Sequence, residues 1–224
     1  MKRRLSCWSL SALCLAVLAL CVPGSVWGVS IPINNPDFES DVLPVRNFIE
    51  GSFTGWTVTN NAAEGLGGVW HPIIGNPKPF YGYSSSVPGP FNVGIASGTT
   101  IFQTLSSTLE PNTIYTLQVY VGTWLTGQAN YTVALLAGAS DVLASVTGIA
   151  PFDAFSLVTL DYTSGGAGSS FLGNPLTIAL SSGPIESNFD LVTLNGSEVP
   201  LPSTLLLVAS GLGGLALMRR RFVL

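Results

Sequence analysis

Cysteine is missing from the body of this chain. All three cysteines, Cys7, Cys14 and Cys21, fall within the first 21 residues, so a domain that begins after them has no disulfide, thiolate metal site or thiol nucleophile. Histidine is nearly absent too, and His71 is the only one. That excludes a histidine-rich metal centre, and a Ser-His-Asp triad would need His71 without any Gly-x-Ser-x-Gly elbow to support it. Charge is scarce, at 9% of residues, and positive charge is scarcer still away from the ends. Lys2, Arg3, Arg4, Arg219, Arg220 and Arg221 are terminal. Between them Arg46 and Lys78 stand against twelve Asp and Glu, and two positive against twelve negative charges leave −10. Such a surface repels phosphate, so nucleic acid is not an expected partner.

What is present begins with two apolar ends. Met1-Lys2-Arg3-Arg4, an apolar run from Leu10 to Val22, and then Pro23, Gly24, Ser25 and Gly28 have the order of a secretory signal peptide read by the general export machinery and signal peptidase. Cleavage after Gly28 gives a signal segment of residues 1–28 and a mature start near Val29. Leu precedes both Cys14 and Cys21, which argues against a lipoprotein signal. At the other end, Leu201 to Met218 is an apolar stretch of eighteen residues followed by Arg219, Arg220 and Arg221. As a helix it would extend about 27 Å, marginal against about 30 Å of hydrocarbon, with its basic end on the cytoplasmic side.

The segment Val199-Pro200-Leu201-Pro202-Ser203-Thr204, the Leu-rich run containing Gly211, Gly213 and Gly214, and the arginine cluster together resemble the PEP-CTERM sorting signal. The resemblance covers residues 198–224. It implies that Val199, Pro200, Pro202, Arg219, Arg220 and Arg221 form the sorting signal, and that an exosortase-type membrane enzyme is the processing partner after transient membrane insertion. The expected destination is secretion to the cell surface by way of the inner membrane.

Between these ends, residues 29–197 alternate apolar and polar side chains in short runs. In Thr113 to Trp124, Tyr115, Leu117, Val119 and Val121 share one face, and Thr116, Gln118 and Tyr120 the other. This is the period of a half-buried strand. Similar runs occur at Thr100 to Leu105, Tyr131 to Leu135, Val158 to Tyr162, Leu176 to Leu180 and Phe189 to Leu194. Glu110-Pro111-Asn112, Thr126-Gly127-Gln128, Ala137-Gly138, Ser164 to Ser170 and Ser182-Gly183-Pro184 supply turns between them. No amphipathic helix is evident. The stretch from Asn60 to Ser97, rich in Gly and Pro, reads as a long functional loop.

Asn35-Pro36-Asp37-Phe38-Glu39, Gly55-Trp56-Thr57, Ile101 to Leu105 and Phe189 to Leu194, in this spacing, resemble the galactose-binding-like jelly roll of many carbohydrate-binding modules. The expected fold is therefore all-β, a jelly-roll β-sandwich, flanked by an N-terminal signal helix and a C-terminal hydrophobic helix. The resemblance also implies a structural calcium between the first and last strands, held by Glu39 and Asp190, with Asp37 and Asp41 as alternatives.

Trp70, Tyr81, Tyr83 and Trp124 are the candidate ligand-binding residues, because an aromatic face stacks on the apolar face of a sugar ring. The same side chains could instead close the ends of the sandwich. Trp56 is expected in the core. Paired carboxylates for glycoside cleavage are available in number, but no pair stands out. The reading that follows is a non-enzymatic, surface-sorted protein of the extracellular polysaccharide matrix, with polysaccharide as its ligand. The alternatives are a small carbohydrate-active enzyme (a glycoside hydrolase or lyase) and a purely structural or adhesive matrix protein.

Overall fold

Twelve strands build the protein in a computed structural model that describes residues 28–59, 65–72 and 92–199. They are β1 (Val29–Ser30), β2 (Phe48–Glu50), β3 (Thr57–Thr59), β4 (Leu66–Trp70), β5 (Val93–Ser97), β6 (Thr100–Thr108), β7 (Thr113–Gly122), β8 (Asn130–Ala137), β9 (Asp141–Ile149), β10 (Phe155–Thr163), β11 (Pro175–Ser182) and β12 (Ser187–Glu198). The seven-stranded sheet runs β10-β7-β12-β5-β4-β2, with β1 also paired to β12. The five-stranded sheet runs β3-β6-β11-β8-β9. All of these strand pairs are antiparallel. The result is an all-β sandwich, and Gly28–Glu198 forms one unit.

The alternation in the sequence sets the core. Tyr115, Leu117, Val119 and Val121 of β7 point inward to meet Ile101, Leu135, Leu176, Ile178, Leu180, Phe189 and Leu194, all buried. Full burial of each large aliphatic side chain contributes about 1.5–3 kcal/mol. Trp56 is buried as expected, its ring centroid 5.2 Å from that of Phe38 and its indole Nε1 donating to Asn35 O at 2.9 Å.

The Asn35 to Glu39 segment docks on both sheets. Asn34 exchanges two 2.7 Å hydrogen bonds with the Gln103 side chain on β6. Val192 N on β12 donates to Pro36 O at 2.8 Å. The second contact depends on a bulge in β12 between Asp190 and Thr193, where Leu191 takes a left-handed φ of 48°. The bulge frees Val192 from the ladder and restores Val192 and Leu194 to the core face.

Two expectations change here. Asn60 to Ser97 is not one long loop, because β4 and β5 lie inside it, in mid-sheet. Their glycines and short length hid the alternation. The helices expected at the two ends fall outside the described residues, and among the described residues no helix is long and apolar enough to cross a membrane.

Candidate active site on the outer face of the large sheet

The register of the seven-stranded sheet gives it a second apolar surface, on the side away from the inter-sheet core. A side chain at Gly94 would run into Ile101 and Phe38 of the core, so its neighbours Val93 and Ile95 project the opposite way. Both are nonetheless buried, at 4% and 3% exposure. Trp70 pairs with Val93, Phe48 with Trp70, and Asn188 with both Ile95 and Gly122. These side chains therefore share the outer face. Gly122 keeps that face flat, since a Cβ there would lie 2.3 Å from Ala154 O.

Down this apolar face runs a polar row. Asn188 and Asp190 follow at alternate positions of β12, with Glu186 two residues before Asn188. All three are buried, at 7% for Glu186, 0% for Asn188 and 7% for Asp190. Polar groups at such depth are costly unless they are hydrogen-bonded or neutralised.

Glu186 meets the first condition. Trp124 Nε1 donates to its Oε1 at 2.8 Å, and Asn188 Nδ2 donates to the same oxygen at 2.7 Å. Burial raises its pKa above the usual carboxylate range, against the opposing effect of the two hydrogen bonds from Asn188 and Trp124. Oε1 thus serves as a double acceptor, and nothing among the described residues hydrogen-bonds Oε2. Thr123 Oγ1 donates to Glu186 O at 2.8 Å, and Ser182 Oγ to Ile185 O at 2.5 Å, so the backbone presenting this carboxyl is tied down on both sides.

Two of the four aromatic candidates come together here. Trp70, at the end of β4, and Trp124, just beyond β7, have ring centroids 5.8 Å apart and tilted by 42°. Both rings are partly exposed. Tyr81 and Tyr83 lie outside the described residues. Trp70 and Trp124 thus form a two-ring wall with the Glu186 carboxyl held against its edge.

The expected calcium pair fares differently. Asp190 is pushed up to about 8, first by burial and then by repulsion from Glu39 and Asp37, while the Leu191 N–H at 2.7 Å pulls the other way. Glu39 Oε1 is engaged by Asn92 N at 2.6 Å. Among the described residues no group of three or more His, Cys, Asp or Glu is placed to hold a metal ion. Calcium needs several hard oxygen ligands brought together, and the expected pair Glu39 and Asp190 is not joined by a third acid in such a group among the described residues. His71, whose Nδ1 lies 2.7 Å from Leu43 O, ties the end of β4 to the loop before β2. Of the sorting residues, Val199 ends the last described segment, while Pro200, Pro202, Arg219, Arg220 and Arg221 lie outside the described residues.

Sequence reasoning missed Glu186 and Asn188. The signal was the spacing Glu186-x-Asn188-x-Asp190 beside the core residue Phe189, which puts three polar groups on one strand face. The alternation visible in the sequence begins only at Phe189, whereas the strand begins at Ser187.

The comparisons bear on this site. A family model described as HpiC1 cyclase (HpiC1-like) matches residues 29–195. Among solved structures, a Stig cyclase, Fisc from Fischerella sp. TAU in complex with (3Z)-3-(1-methyl-2-pyrrolidinylidene)-3H-indole, is 26% identical. The match covers 77% of this chain and 99% of that one, with a TM-score of 0.63. The apo form of a cyclase from Fischerella sp. is 26% identical, with coverage of 78% and 98% and a TM-score of 0.64. A cyclase from Fischerella sp. TAU in complex with 4-(1H-indol-3-yl)butan-2-one is 26% identical, with coverage of 77% and 100% and a TM-score of 0.62. A search among curated proteins finds no match.

These findings overturn the expectation of a non-enzymatic, carbohydrate-binding matrix protein, and with it the carbohydrate-active and purely adhesive alternatives. The segment that resembles a sorting signal, residues 198–224, lies beyond the matched family segment. The sandwich shared with carbohydrate-binding modules is a scaffold and carries no ligand with it. Over residues 29–195 the chain belongs to the HpiC1-like cyclase family.

Proposed function

We propose that this protein is an acid-promoted cyclase for a flat, electron-rich aromatic substrate of the indole type that carries an unsaturated chain, and that Glu186 is its general acid. The carrying observation is the buried Glu186 carboxyl, its pKa raised by burial, fixed to Trp124 at 2.8 Å with Trp70 completing the wall. Indole-containing molecules are bound in the solved relatives, which supports the substrate class.

The site residues divide the work simply. Trp70 and Trp124 stack the aromatic part, and the surrounding apolar face, with Val93 and Ile95, keeps water from the reacting chain. Glu186 Oε2–H passes its proton to a π-bonded or basic atom of the substrate and leaves a cation. An electron pair from the second π system closes the ring as a new carbon–carbon bond. The cyclised cation then returns a proton to the Glu186 carboxylate. No electrons are gained or lost, and the product is an isomer of the substrate.

Incubating the purified protein with 3-alkenyl indoles and analysing by liquid chromatography and mass spectrometry tests this directly. A new product of unchanged mass supports the reading. No conversion of any member, with the protein folded, would oppose it.

Two finer points belong to the proposal. The strand order of the sandwich supports the galactose-binding-like jelly roll that the sequence resembles. The basic-then-apolar start of the chain supports export across the inner membrane before the enzyme acts, and N-terminal sequencing of the mature protein, starting near Val29, is its test.

A further inference from the structure

The chain enters and leaves the sandwich at one end. β1 runs antiparallel to the close of β12, with Val29 against Gly196 and Ser30 against Asn195, so Gly28 comes in beside the point where Glu198 goes out. The apolar run from Leu201 to Met218 begins three positions after Glu198, a reach of about 10 Å. The same end carries the start of β7, where Thr113 pairs with Glu198, and the loop of residues 164–174 between β10 and β11. That loop is pinned to the turn between β6 and β7. Asn112 N donates to Gly165 O, Leu109 N to Asn174 O and Gly173 N to Leu109 O, each at 2.9 Å.

Within this fixed loop Leu172 packs against the core, whereas Phe171 is 44% exposed. Phe171 also holds a left-handed φ of 69°, a conformation that a bulky residue rarely adopts. A strained backbone thus presents a large apolar ring outside the fold, and strain of this kind gathers at functional surfaces. Glu110, Asp141 and Glu198, also at this end, are exposed and acidic, a charge that anionic lipid would repel. Glu186, which precedes β12, and Trp124, which follows β7, stand at the opposite end of the sandwich.

We infer that the end bearing Phe171 rests on an electrically neutral lipid surface, with this ring set into the interface beside the membrane-inserted run from Leu201. Aromatic rings favour that boundary, and the apolar run holds the loop within reach of it. The site of Trp124 and Glu186 then faces water, and substrate reaches it from there. This inference is independent of the cyclase reading.

The test uses the full chain with Cys7, Cys14 and Cys21 replaced by alanine, carrying one fluorescent label at Ser170→Cys, beside Phe171, or at Gln128→Cys, after β7 at the opposite end. Both positions are exposed. Each protein is reconstituted into phosphatidylcholine vesicles with and without a phosphatidylcholine that bears a shallow spin-label quencher. A group at the headgroup boundary lies within reach of that quencher, so quenching at position 170 is expected to be at least about threefold stronger than at 128. Adding Phe171→Ser should abolish the excess. Equal quenching at the two positions, stronger quenching at 128, or none at either would overturn the inference, and an excess unchanged by Phe171→Ser would overturn the role of Phe171. The comparison of the two labels decides the matter even if Phe171→Ser fails to fold.

Discussion

Trp124 and Glu186, sixty-two residues apart in sequence, are joined by a 2.8 Å hydrogen bond from the indole Nε1 to Oε1. The bond does two jobs. It fixes the ring that faces Trp70, and it opposes the rise in the Glu186 pKa caused by burial. Removing it while keeping an aromatic ring separates the two. In Trp124→Phe the carboxyl loses a stabilising donor, so its pKa rises further. The alkaline limb of the cyclisation pH profile is expected to move to higher pH, and a limb that stays in place would show that Glu186 does not set it.

Trp70 contributes its ring to the wall. Trp70→Ala removes one wall of the aromatic pair, and aromatic pairs of this geometry contribute about 0.5–1.5 kcal/mol beyond their buried area. The expected effect is a KM raised about three- to tenfold, with kcat changed less. A large fall in kcat at constant KM would place Trp70 in the chemical step instead.

Asp190 makes stability depend on pH. Its pKa is raised to about 8 in the folded protein from 3.8, so the native state keeps a proton that the unfolded chain releases. Stability from this group is therefore full below about pH 4 and is lost as the pH rises toward 8. Thermal unfolding should show the melting temperature falling across that window. Asp190→Asn, which keeps an acceptor for the Leu191 N–H, should flatten the dependence and unfold at a higher temperature at pH 8. A wild-type protein whose stability rises from pH 4 to 8, unchanged by Asp190→Asn, would contradict this.

Tyr115 provides a structural control. Its ring stacks with Tyr162 at 6.4 Å, and its hydroxyl accepts from Glu110 N at 2.7 Å. Tyr115→Phe should lower stability by about 1 kcal/mol, read from chemical denaturation. Cyclisation at saturating substrate should be unchanged, because the residue points into the core, away from the outer face.

The sequence made the sandwich legible wherever a strand has one dry and one wet face. Thr113 to Trp124 shows this alternation, and its inward residues were identified correctly. Alternation fails where both faces are covered, as at Val93 and Ile95, whose outward side chains are buried. It fails again at Leu66 to Trp70, where Gly67 and Gly68 carry no side chains to report a face. Trp70 and Trp124 can be picked out of the sequence as candidates, whereas their partner cannot. A sugar platform and an indole platform use the same rings, and the difference lies in Glu186, whose importance comes from burial and from a hydrogen bond across sixty-two residues. Neither can be seen in a linear string. Asp190 stands out in the sequence for its carboxylate, and only the fold shows that burial raises its pKa to about 8.

The central claim is that a buried, protonated Glu186 supplies the proton for ring closure. It is tested most directly by comparing the initial cyclisation rates of the wild-type protein and Glu186→Gln on the same 3-alkenyl indole. Glutamine keeps the acceptor for Trp124 Nε1 and Asn188 Nδ2 but has no proton to give. The account predicts a rate at least about a hundredfold lower in a variant that folds as well as the wild type and binds 3-methylindole within about threefold of it. A folded Glu186→Gln enzyme that cyclises at the wild-type rate would contradict it.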